Sequence, residues 1–392
     1  MLSANHHHCL GPVIVGIMVL LTDRIDNETP MRNCRIGILA GEGSGPEIVN
    51  AARSVLNTIA QTCDLVLRIE NGGEIGSNFE DPDGKSLSPE VLDFCGKIFS
   101  DGGAIVAGAT SGRFVYNMRR HFNLYYKLNP LRSYPELRKV CRVKLPTKPL
   151  DILIVRENLQ GIYQGRSMEI SSADGLKIEH TFVQDARRVR AVLDIAVTAA
   201  RERRNALAVV SKRSGVPAMH SLWRSCALQL ADTTGVELSF LDVDYAAYKL
   251  LQEPETLDVI VAPNCFGDIL SDLGGVLAGS RGLTFGASYS ADGAAVYQTN
   301  HGAAFDLAGT DTANPVGQIF SAAMMLRETF GLSTEAQLIE NSVRAVWRSG
   351  WRTADVAERG CQIATTQKFG ELVASQIERT AVRNRATCKL AS

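Results

Sequence analysis

The stretch from Leu257 to Gly279 constrains the fold most, because it combines a buried strand with a helix. Its residues 258–262, DVIVA, are apolar after Asp258 and are typical of a strand covered on both faces of a sheet. The chain then breaks at Pro263 and continues as a predicted helix that carries Asp268 and Asp272. A strand that runs directly into a helix is the repeating unit of α/β sheets.

Asp268 and Asp272 lie four residues apart, so they share one face of that helix, with Cβ atoms about 5–6 Å apart. Two neighbouring carboxylates repel each other, and a cation between them relieves the repulsion. Oxygen ligands of this kind suit Mg²⁺ or Mn²⁺ rather than zinc. The alternative is a solvated acidic helix start, since Asp is favoured near helix N-termini.

The same unit recurs along the chain and predicts an α/β sheet with parallel strands. Charged residues such as Arg156 follow some of these strands, at the edge where open α/β sheets bind ligands. Residues 165–182 alternate with period two around a turn and predict a hairpin. Apolar strand patterns are found at 35–40, 65–69, 103–108, 151–155, 208–211 and 238–243.

A glycine-rich loop at 41–45 follows the first strand, and Pro46 suits the first position of the next helix. Bare backbone N–H groups in such a loop suit a phosphate. The glycine spacing is not the dinucleotide fingerprint, however, and a tight turn without a ligand is the alternative.

The bulk composition bounds the class of protein. With 392 residues, 45% of them hydrophobic, the chain is long enough for two or three domains. A net charge of −1 gives no electrostatic reason to expect nucleic acid or an anionic membrane as partner. The nine cysteines are scattered without a C-x-x-C pair, which predicts a reduced, cytoplasmic protein.

The N-terminal segment, 1–30, contains an apolar run at 9–21 that is too short for a membrane span. It lacks the basic start of a signal peptide. Because Met31 comes immediately before the first strand, we expect 1–30 to be an extension that is disordered or absent from the native protein.

Several motifs occur in one order: GEGSGPE, DILIVREN, NCFGDILSD and NHGAAFDLAGTDTANP. Together they resemble the isocitrate/3-isopropylmalate dehydrogenase family of NAD(P)-dependent β-decarboxylating dehydrogenases, over about residues 34–380. The resemblance implies two α/β domains that share a mixed sheet unlike a Rossmann fold, 31–132 plus 285–392 and 133–284. It also implies a homodimer clasped by the hairpin at 165–182, with a tetramer as the alternative.

The resemblance further implies roles for individual residues. Lys212 and Asp244 would reach the site from the other subunit. The implied set is Tyr163 and Lys212 as the catalytic pair, Asp244, Asp268 and Asp272 as ligands of Mg²⁺ or Mn²⁺, Arg119 and Arg156 as substrate arginines, and His301, Gly302, Asp306 and Asn314 for the cofactor.

These residue types suit the implied chemistry, in which a secondary alcohol loses hydride to a nicotinamide and the 3-carboxylate then leaves as CO₂. A metal on the hydroxyl oxygen lowers its pKa. Lys212, with a pKa lowered by its surroundings, is expected to act as base, and Tyr163 to protonate the product carbon. Asp306 can bind ribose hydroxyls and would repel a 2′-phosphate, which predicts NAD.

Three departures from the family pattern bear on the substrate. The family motif N-L-R-P reads Lys127-Leu-Asn129-Pro, so Asn129 replaces an arginine that Arg132 or Lys127 could stand in for. Gln298 stands where Glu is usual. Arg113 and Tyr116 occupy the stretch that, by the family resemblance, would face the substrate's substituent.

Arg113 favours an anionic substituent, as in isocitrate, homoisocitrate or a phosphonate, over an isopropyl group. Val115 and the pattern RRHFNLYYKL are closer to the isopropylmalate branch, so the hydroxy acid stays open. Two other functions are alternatives. Asn129 supports a non-catalytic regulatory subunit of a heteromeric isocitrate dehydrogenase, and a simple Rossmann dehydrogenase would show no metal dependence.

Overall fold

The computed structural model of the protein describes residues 34–79 and 86–391, so the predicted extension at 1–30 lies outside the described residues. The strands are β1 (Cys34–Leu39), β2 (Leu67–Asn71), β3 (Ala104–Ala107), β4 (Tyr126–Arg132), β5 (Asp151–Glu157), β6 (Arg166–Ser172), β7 (Gly175–Thr181), β8 (Ala206–Ser211), β9 (Glu237–Asp242), β10 (Val259–Ala262), β11 (Phe285–Tyr289), β12 (Ala295–Thr299), β13 (Trp351–Arg352) and β14 (Gln362–Ile363).

Helices accompany most of these strands. They are α1 (Gly45–Thr62), α2 (Pro89–Ser100), α3 (Phe114–His121), α4 (Ala186–Arg201), α5 (Pro217–Thr234), α6 (Val243–Gln252), α7 (Asn264–Ala278), α8 (Val316–Glu328), α9 (Ser333–Arg348) and α10 (Thr366–Ala391). None of the helices within 34–79 and 86–391 has the length and apolarity that a membrane span requires.

Ten strands form one mixed sheet in the order β2-β1-β3-β12-β11-β4-β5-β10-β8-β9. The strands on either side pair in parallel, as β1 does with β2 and β3, and as β10 does with β5 and β8. In the middle, β11 is antiparallel to β12 and to β4, and β4 is antiparallel to β5. The fold is therefore α/β with a large mixed sheet, as the sequence predicted from the family resemblance.

Strand β11 was missed by the sequence analysis. Its residues, FGASY, are few and include Gly286, and glycine weakens a strand signal. In the structure Gly286 is needed, because an added Cβ there would lie 2.5 Å from the carbonyl oxygen of Leu128 on β4. A close approach between two backbones thus explains a residue that disfavours strand prediction.

Helix α7 packs against β4 and β5 and carries the two aspartates to the carboxyl end of β5. Two glycines let the helix approach closely. An added Cβ at Gly267 would lie 2.9 Å from Arg156, and one at Gly274 would lie 2.2 Å from Leu131. The helix therefore presents Asp268 directly to Arg156, near the carboxyl end of β5.

The predicted hairpin is present as β6 and β7, a separate two-stranded antiparallel sheet. Met168, Leu176 and Ile178 are exposed on it although they are large and apolar. A lone two-stranded hairpin is at best marginally stable in water. The hairpin therefore carries an exposed apolar surface.

Candidate active site

Arg156 stands at the end of β5 and is only 2% exposed. Its Nε and Nη2 donate to the Asn264 side-chain oxygen at 3.0 and 2.7 Å, and Nη1 forms an ion pair with Asp268. The arginine is thus clamped between β5 and the first turn of α7. This arrangement fixes the guanidinium at the point where the sheet ends.

Arg119 approaches from α3 and is 3% exposed. Its Nε has no hydrogen-bond partner among the described residues. Burial, together with the charge of Arg156, lowers the pKa of Arg119 to about 9. The side chain is therefore a buried cation whose hydrogen-bonding capacity is partly unused.

Two tyrosines connect these arginines. The rings of Tyr116 and Tyr163 meet edge to face with centroids 5.7 Å apart. The guanidinium carbons of Arg113 and Arg119 lie 5.1 and 5.8 Å from the Tyr116 ring, and that of Arg156 lies 5.9 Å from the Tyr163 ring. Five residues predicted from the sequence thus form one continuous group.

Tyr163 and Asp268 differ in how their surroundings affect their protons. Burial, with hydrogen bonds to Cys265 and Asp268, raises the pKa of Tyr163, so the phenol keeps its proton. Burial alone would raise the pKa of Asp268, but the charges of Arg156, Lys127 and Arg119 outweigh it and lower that pKa. The site therefore pairs a phenolic proton donor with an ionised carboxylate.

Arg132 does not belong to this group, which corrects its predicted role. It lies on the opposite face of β4, with Nη1 3.4 Å from Glu340 of α9 and Nε 3.9 Å from Asp151. Strand alternation explains the difference, because residues 127, 129 and 131 share the face toward α7 and residue 132 does not. Lys127 and Asn129 are buried on the α7 face.

Lys212 and Asp244 form an ion pair at 2.6 Å, with Asp242 3.9 Å from the same ammonium. The hydrogen bond from Lys212 to Asp244 raises the pKa of the lysine and lowers that of the aspartate. The expectation that the surroundings lower the pKa of Lys212 is therefore wrong for the single chain. While paired in this way, Lys212 is a poor base.

The three predicted metal carboxylates do not converge within one chain. Asp268 pairs with Arg156, Asp272 lies 2.9 Å from Arg281, and Asp244 pairs with Lys212. No cluster of three or more metal-ligating side chains is present in 34–79 and 86–391. The oxygen donors of Asp268 and Asp272 are of the kind that Mg²⁺ or Mn²⁺ prefers.

The predicted cofactor residues lie on a loop that follows β12. Nδ1 of His301 lies 2.9 Å from the Gly302 carbonyl oxygen, and burial lowers the pKa of the imidazole. Asn314 accepts a hydrogen bond from the Val316 N–H at 3.0 Å, which ties the loop to the start of α8. Asp306 is exposed, so its carboxylate is accessible to a ribose.

The glycine loop at 41–45 supports this cofactor loop. The Ser44 N–H donates to the Ala303 carbonyl at 2.7 Å, and the Glu42 N–H donates to Ala109 at 2.9 Å. Gly43 has φ +61°, and an added Cβ would lie 2.2 Å from the Ala303 oxygen. Of the two interpretations, the structure favours the tight turn, because these N–H groups bond within the protein.

The sequence did not predict the residues that form hydrogen bonds with the site side chains. Asn264 orients Arg156, Cys265 bonds to Tyr163, and Asn300 accepts a hydrogen bond from Lys127 at 2.7 Å. Glu157 accepts from the N–H groups of Leu159 and Gln160. Asn264 and Cys265 lie in NCFGD and Asn300 lies in TNHG, so their places beside predicted site residues could have indicated them.

The description of the family model that matches residues 35–373 is isocitrate/isopropylmalate dehydrogenase. The chain belongs to the isocitrate/isopropylmalate dehydrogenase family. Within this family of NAD(P)-dependent decarboxylating dehydrogenases, it is 35% identical to the 3-isopropylmalate dehydrogenases of Oleidesulfovibrio alaskensis and Nitratidesulfovibrio vulgaris. These alignments cover 88% and 87% of this chain and 99% of each relative.

A solved isocitrate dehydrogenase from Methylococcus capsulatus has the same family fold, with a TM-score of 0.78 at 26% identity. The match covers 88% of this chain and 99% of that one. The predicted family and the mixed-sheet fold are thereby confirmed.

Proposed function

We propose that the protein catalyses the NAD-dependent oxidative decarboxylation of a 2-hydroxy acid with a 3-carboxylate, using Mg²⁺ or Mn²⁺. One observation carries the proposal. Arg119, Lys127 and Arg156 are all buried, and Asp268 pairs with Arg156. The neighbouring Glu157 adds little negative charge near neutral pH, because burial raises its pKa to about 7. Unpaired buried charge is costly, so this pocket calls for an anionic ligand.

The basic residues would bind and orient the hydroxy acid. Arg119, with its free Nε, would hold a carboxylate, and the clamped Arg156 would fix the orientation of the same portion of the substrate. Arg113, which lies against the Tyr116 ring, would contact the substituent. Tyr163 keeps its proton and would donate it to the product carbon.

The divalent cation would be held by Asp268 and Asp272, together with Asp244 of the partner subunit. When bound, the cation would lower the pKa of the substrate hydroxyl and stabilise negative charge on that oxygen. Lys212 would serve as base once Asp244 no longer accepts its hydrogen bond, since that bond raises its pKa. NAD would lie along His301, Gly302, Asp306 and Asn314 and accept the hydride.

A homodimer would complete the site, and exposed apolar side chains support it. Tyr245 and Tyr248 on α6 and Ile269 and Val276 on α7 are exposed, as is the apolar face of the β6–β7 hairpin. Apolar patches of this kind mark interaction surfaces. We place the two domains at 31–132 plus 285–392 and at 133–284, so that the sheet crosses from one to the other between β4 and β5.

We also propose a cytoplasmic location. Cys95, Cys141, Cys226, Cys265 and Cys361 are free thiols, as expected in a reducing compartment.

The decisive experiment is NADH formation with Mg²⁺ or Mn²⁺ and a panel of 3-isopropylmalate, isocitrate, homoisocitrate and a phosphonate analogue. Turnover of at least one acid that stops on metal chelation supports the proposal. Binding without any turnover would favour a regulatory subunit instead, and metal-independent turnover would favour a simple dehydrogenase.

Arg113 is expected to select the substituent of the hydroxy acid. Arg113→Leu should raise KM for isocitrate or the phosphonate by about tenfold to a hundredfold, the range for one lost charge-assisted contact, and leave kcat largely unchanged. The matched control is Arg379→Leu, which removes an exposed arginine on α10. An unchanged KM in Arg113→Leu would remove this arginine from the site.

A further inference from the structure

Lys127 and Asn129 share the face of β4 that points toward α7. An added Cβ at Gly286 of the neighbouring strand would lie 2.6 Å from the Asn129 side-chain oxygen and 3.0 Å from Lys127 Cε. Two residues along a strand correspond to about 7 Å. Both side chains therefore lie next to Gly286 on the same face of the sheet. Lys127 is also close enough to Arg119 and Arg156 for their charges to act on it.

Asn129 is fully buried, and neither its side-chain oxygen nor its nitrogen has a hydrogen-bond partner among the described residues. Each unsatisfied buried polar atom costs about 1–3 kcal/mol. An asparagine that only filled the core would be replaced at lower cost by an apolar residue. Its unused donor and acceptor point to a polar ligand at this position.

Lys127 is 3% exposed and makes one hydrogen bond among the described residues, to Asn300, although an ammonium has three donors. Burial, and the charges of Arg119 and Arg156, lower the pKa of Lys127 well below its usual value. The lysine is thus held close to two other cations. An anion between them would relieve the repulsion and use the free N–H groups.

We propose that Lys127 supplies the third cation of the substrate site and, with the Asn129 amide beside it, binds an oxyanion of the hydroxy acid. This inference rests on the proposed function and names its specificity residues. Lys127 lies two residues before the position that the arginine of the N-L-R-P motif would occupy on β4. Its ammonium contacts Asn300, which precedes His301 in the chain. The oxyanion would therefore bind on the cofactor side of Arg119.

A carboxylate and a phosphonate offer the same oxyanion chemistry, so the test uses one probe of each kind. The probes are D-malate and 2-hydroxy-3-phosphonopropanoate, titrated calorimetrically into the full-length protein with Mg²⁺ and without NAD. Binding is thereby measured separately from turnover. Whichever probe loses more affinity on removal of the Lys127 charge identifies the preferred oxyanion.

Lys127→Met keeps the length of the side chain and removes the charge. It should weaken probe binding by about tenfold to a hundredfold, the range for a charge-assisted contact. The double variant Lys127→Asn with Asn129→Arg moves the cation back and should recover binding to within about tenfold of the wild type. Recovery by a relocated charge is a result that a purely structural role would not produce.

Arg327→Met is the matched control, because it removes a largely buried cation that pairs with Glu340, which contacts Arg132 on the opposite face of β4 from Lys127. It should lower the melting temperature and leave probe affinity unchanged. The proposal is overturned if Lys127→Met binds both probes as the wild type does, or if the wild type binds neither. If the wild type shows turnover and Lys127→Met keeps its probe affinity, this inference is contradicted and the proposed function is not. If the wild type binds the probes but shows no turnover, the proposed reaction is contradicted and this inference is not.

Discussion

At the scale of single residues, the position of Arg156 depends on a glycine. Gly267 leaves room for the arginine stem, and an added methyl group would lie 2.9 Å from two of its carbons. Gly267→Ala should push the guanidinium off Asn264 and Asp268 and raise the dissociation constant for D-malate by about tenfold, or about 1.4 kcal/mol. Calorimetric titration in the presence of Mg²⁺ measures this change.

Gly96→Ala is the control for Gly267→Ala. Gly96 also lies within a helix, α2, but nothing lies within 4 Å of an added Cβ. That variant should gain up to about 1 kcal/mol of stability from helix propensity and bind the probe normally. Equal affinity in both variants would show that Arg156 does not depend on Gly267.

Individual side chains also show where sequence reasoning ends. Arg119, Arg156 and Tyr163 were predicted from motif order alone, and the structure brings them together. The replacement for the missing arginine was left open between Arg132 and Lys127, because the choice depends on which face of β4 meets α7. The pKa of Lys212 was misjudged since its partner Asp244 is 32 residues away in the chain and becomes a neighbour only through the β8–β9 pairing.

At the scale of elements, the glycine loop and the cofactor loop form one unit. Gly43→Ala would combine a strained φ of +61° with a Cβ that lies 2.2 Å from the Ala303 oxygen. The strain costs about 1–2 kcal/mol, and the clash must displace the loop that carries His301 and Asp306. We expect weaker NAD binding, by about tenfold, together with a lower melting temperature.

Gly102→Ala separates these two effects. Gly102 has a similar φ of +69°, but nothing lies within 4 Å of an added Cβ. It should lower the melting temperature and leave NAD affinity, measured by fluorescence titration, unchanged. If both variants bind NAD equally well, the glycine loop does not position the cofactor loop.

Most elements were predictable because their patterns are local. Apolar runs marked β1, β5 and β10, and alternation marked the β6–β7 hairpin. The direction of the central strands was not readable from these patterns, since antiparallel pairing of β11 and β4 depends on contacts between residues that are over 150 positions apart. The interpretation of the glycine loop was undecided for the same reason, because Ala303 lies 259 residues from Ser44.

At the scale of the whole molecule, the partly buried carboxyl of Glu328 should contribute to a dependence of stability on pH. Burial raises the pKa of Glu328, at the end of α8, from its usual 4.5 to about 7. Between these values the folded protein holds a proton that the unfolded chain releases, so the free energy of unfolding falls as pH rises. Glu328→Gln removes this ionisable group. Its free energy of unfolding, measured by urea denaturation, should therefore rise relative to that of the wild type between pH 5 and pH 8, by at most about 3 kcal/mol.

Glu371→Gln on α10 is the control for this pH effect, because it makes the same substitution at an exposed position. The stability difference between Glu371→Gln and the wild type should vary less with pH than that of Glu328→Gln. A constant difference for Glu328→Gln as well would show that Glu328 ionises normally in the folded protein.

The proposed dimer makes the strongest claim about the whole molecule, namely that each site combines Tyr163 of one subunit with Lys212 of the other. Tyr163→Phe and Lys212→Ala should each be nearly inactive alone. Refolded together in equal amounts, half of the dimers would be mixed, and one site in each would keep both residues. Activity should therefore return to about a quarter of the wild-type level in a symmetric dimer.

The matched control for this complementation mixes Lys212→Ala with Asp244→Asn. Both residues would reach the site from the same subunit, so every site in a mixed dimer would lack one of them and activity should stay low. Recovery of activity in this control mixture would contradict the shared site. So would a failure to recover activity when Tyr163→Phe and Lys212→Ala are mixed. Light scattering on each mixture confirms that dimers have formed, so that a lost interface is not mistaken for a lost site.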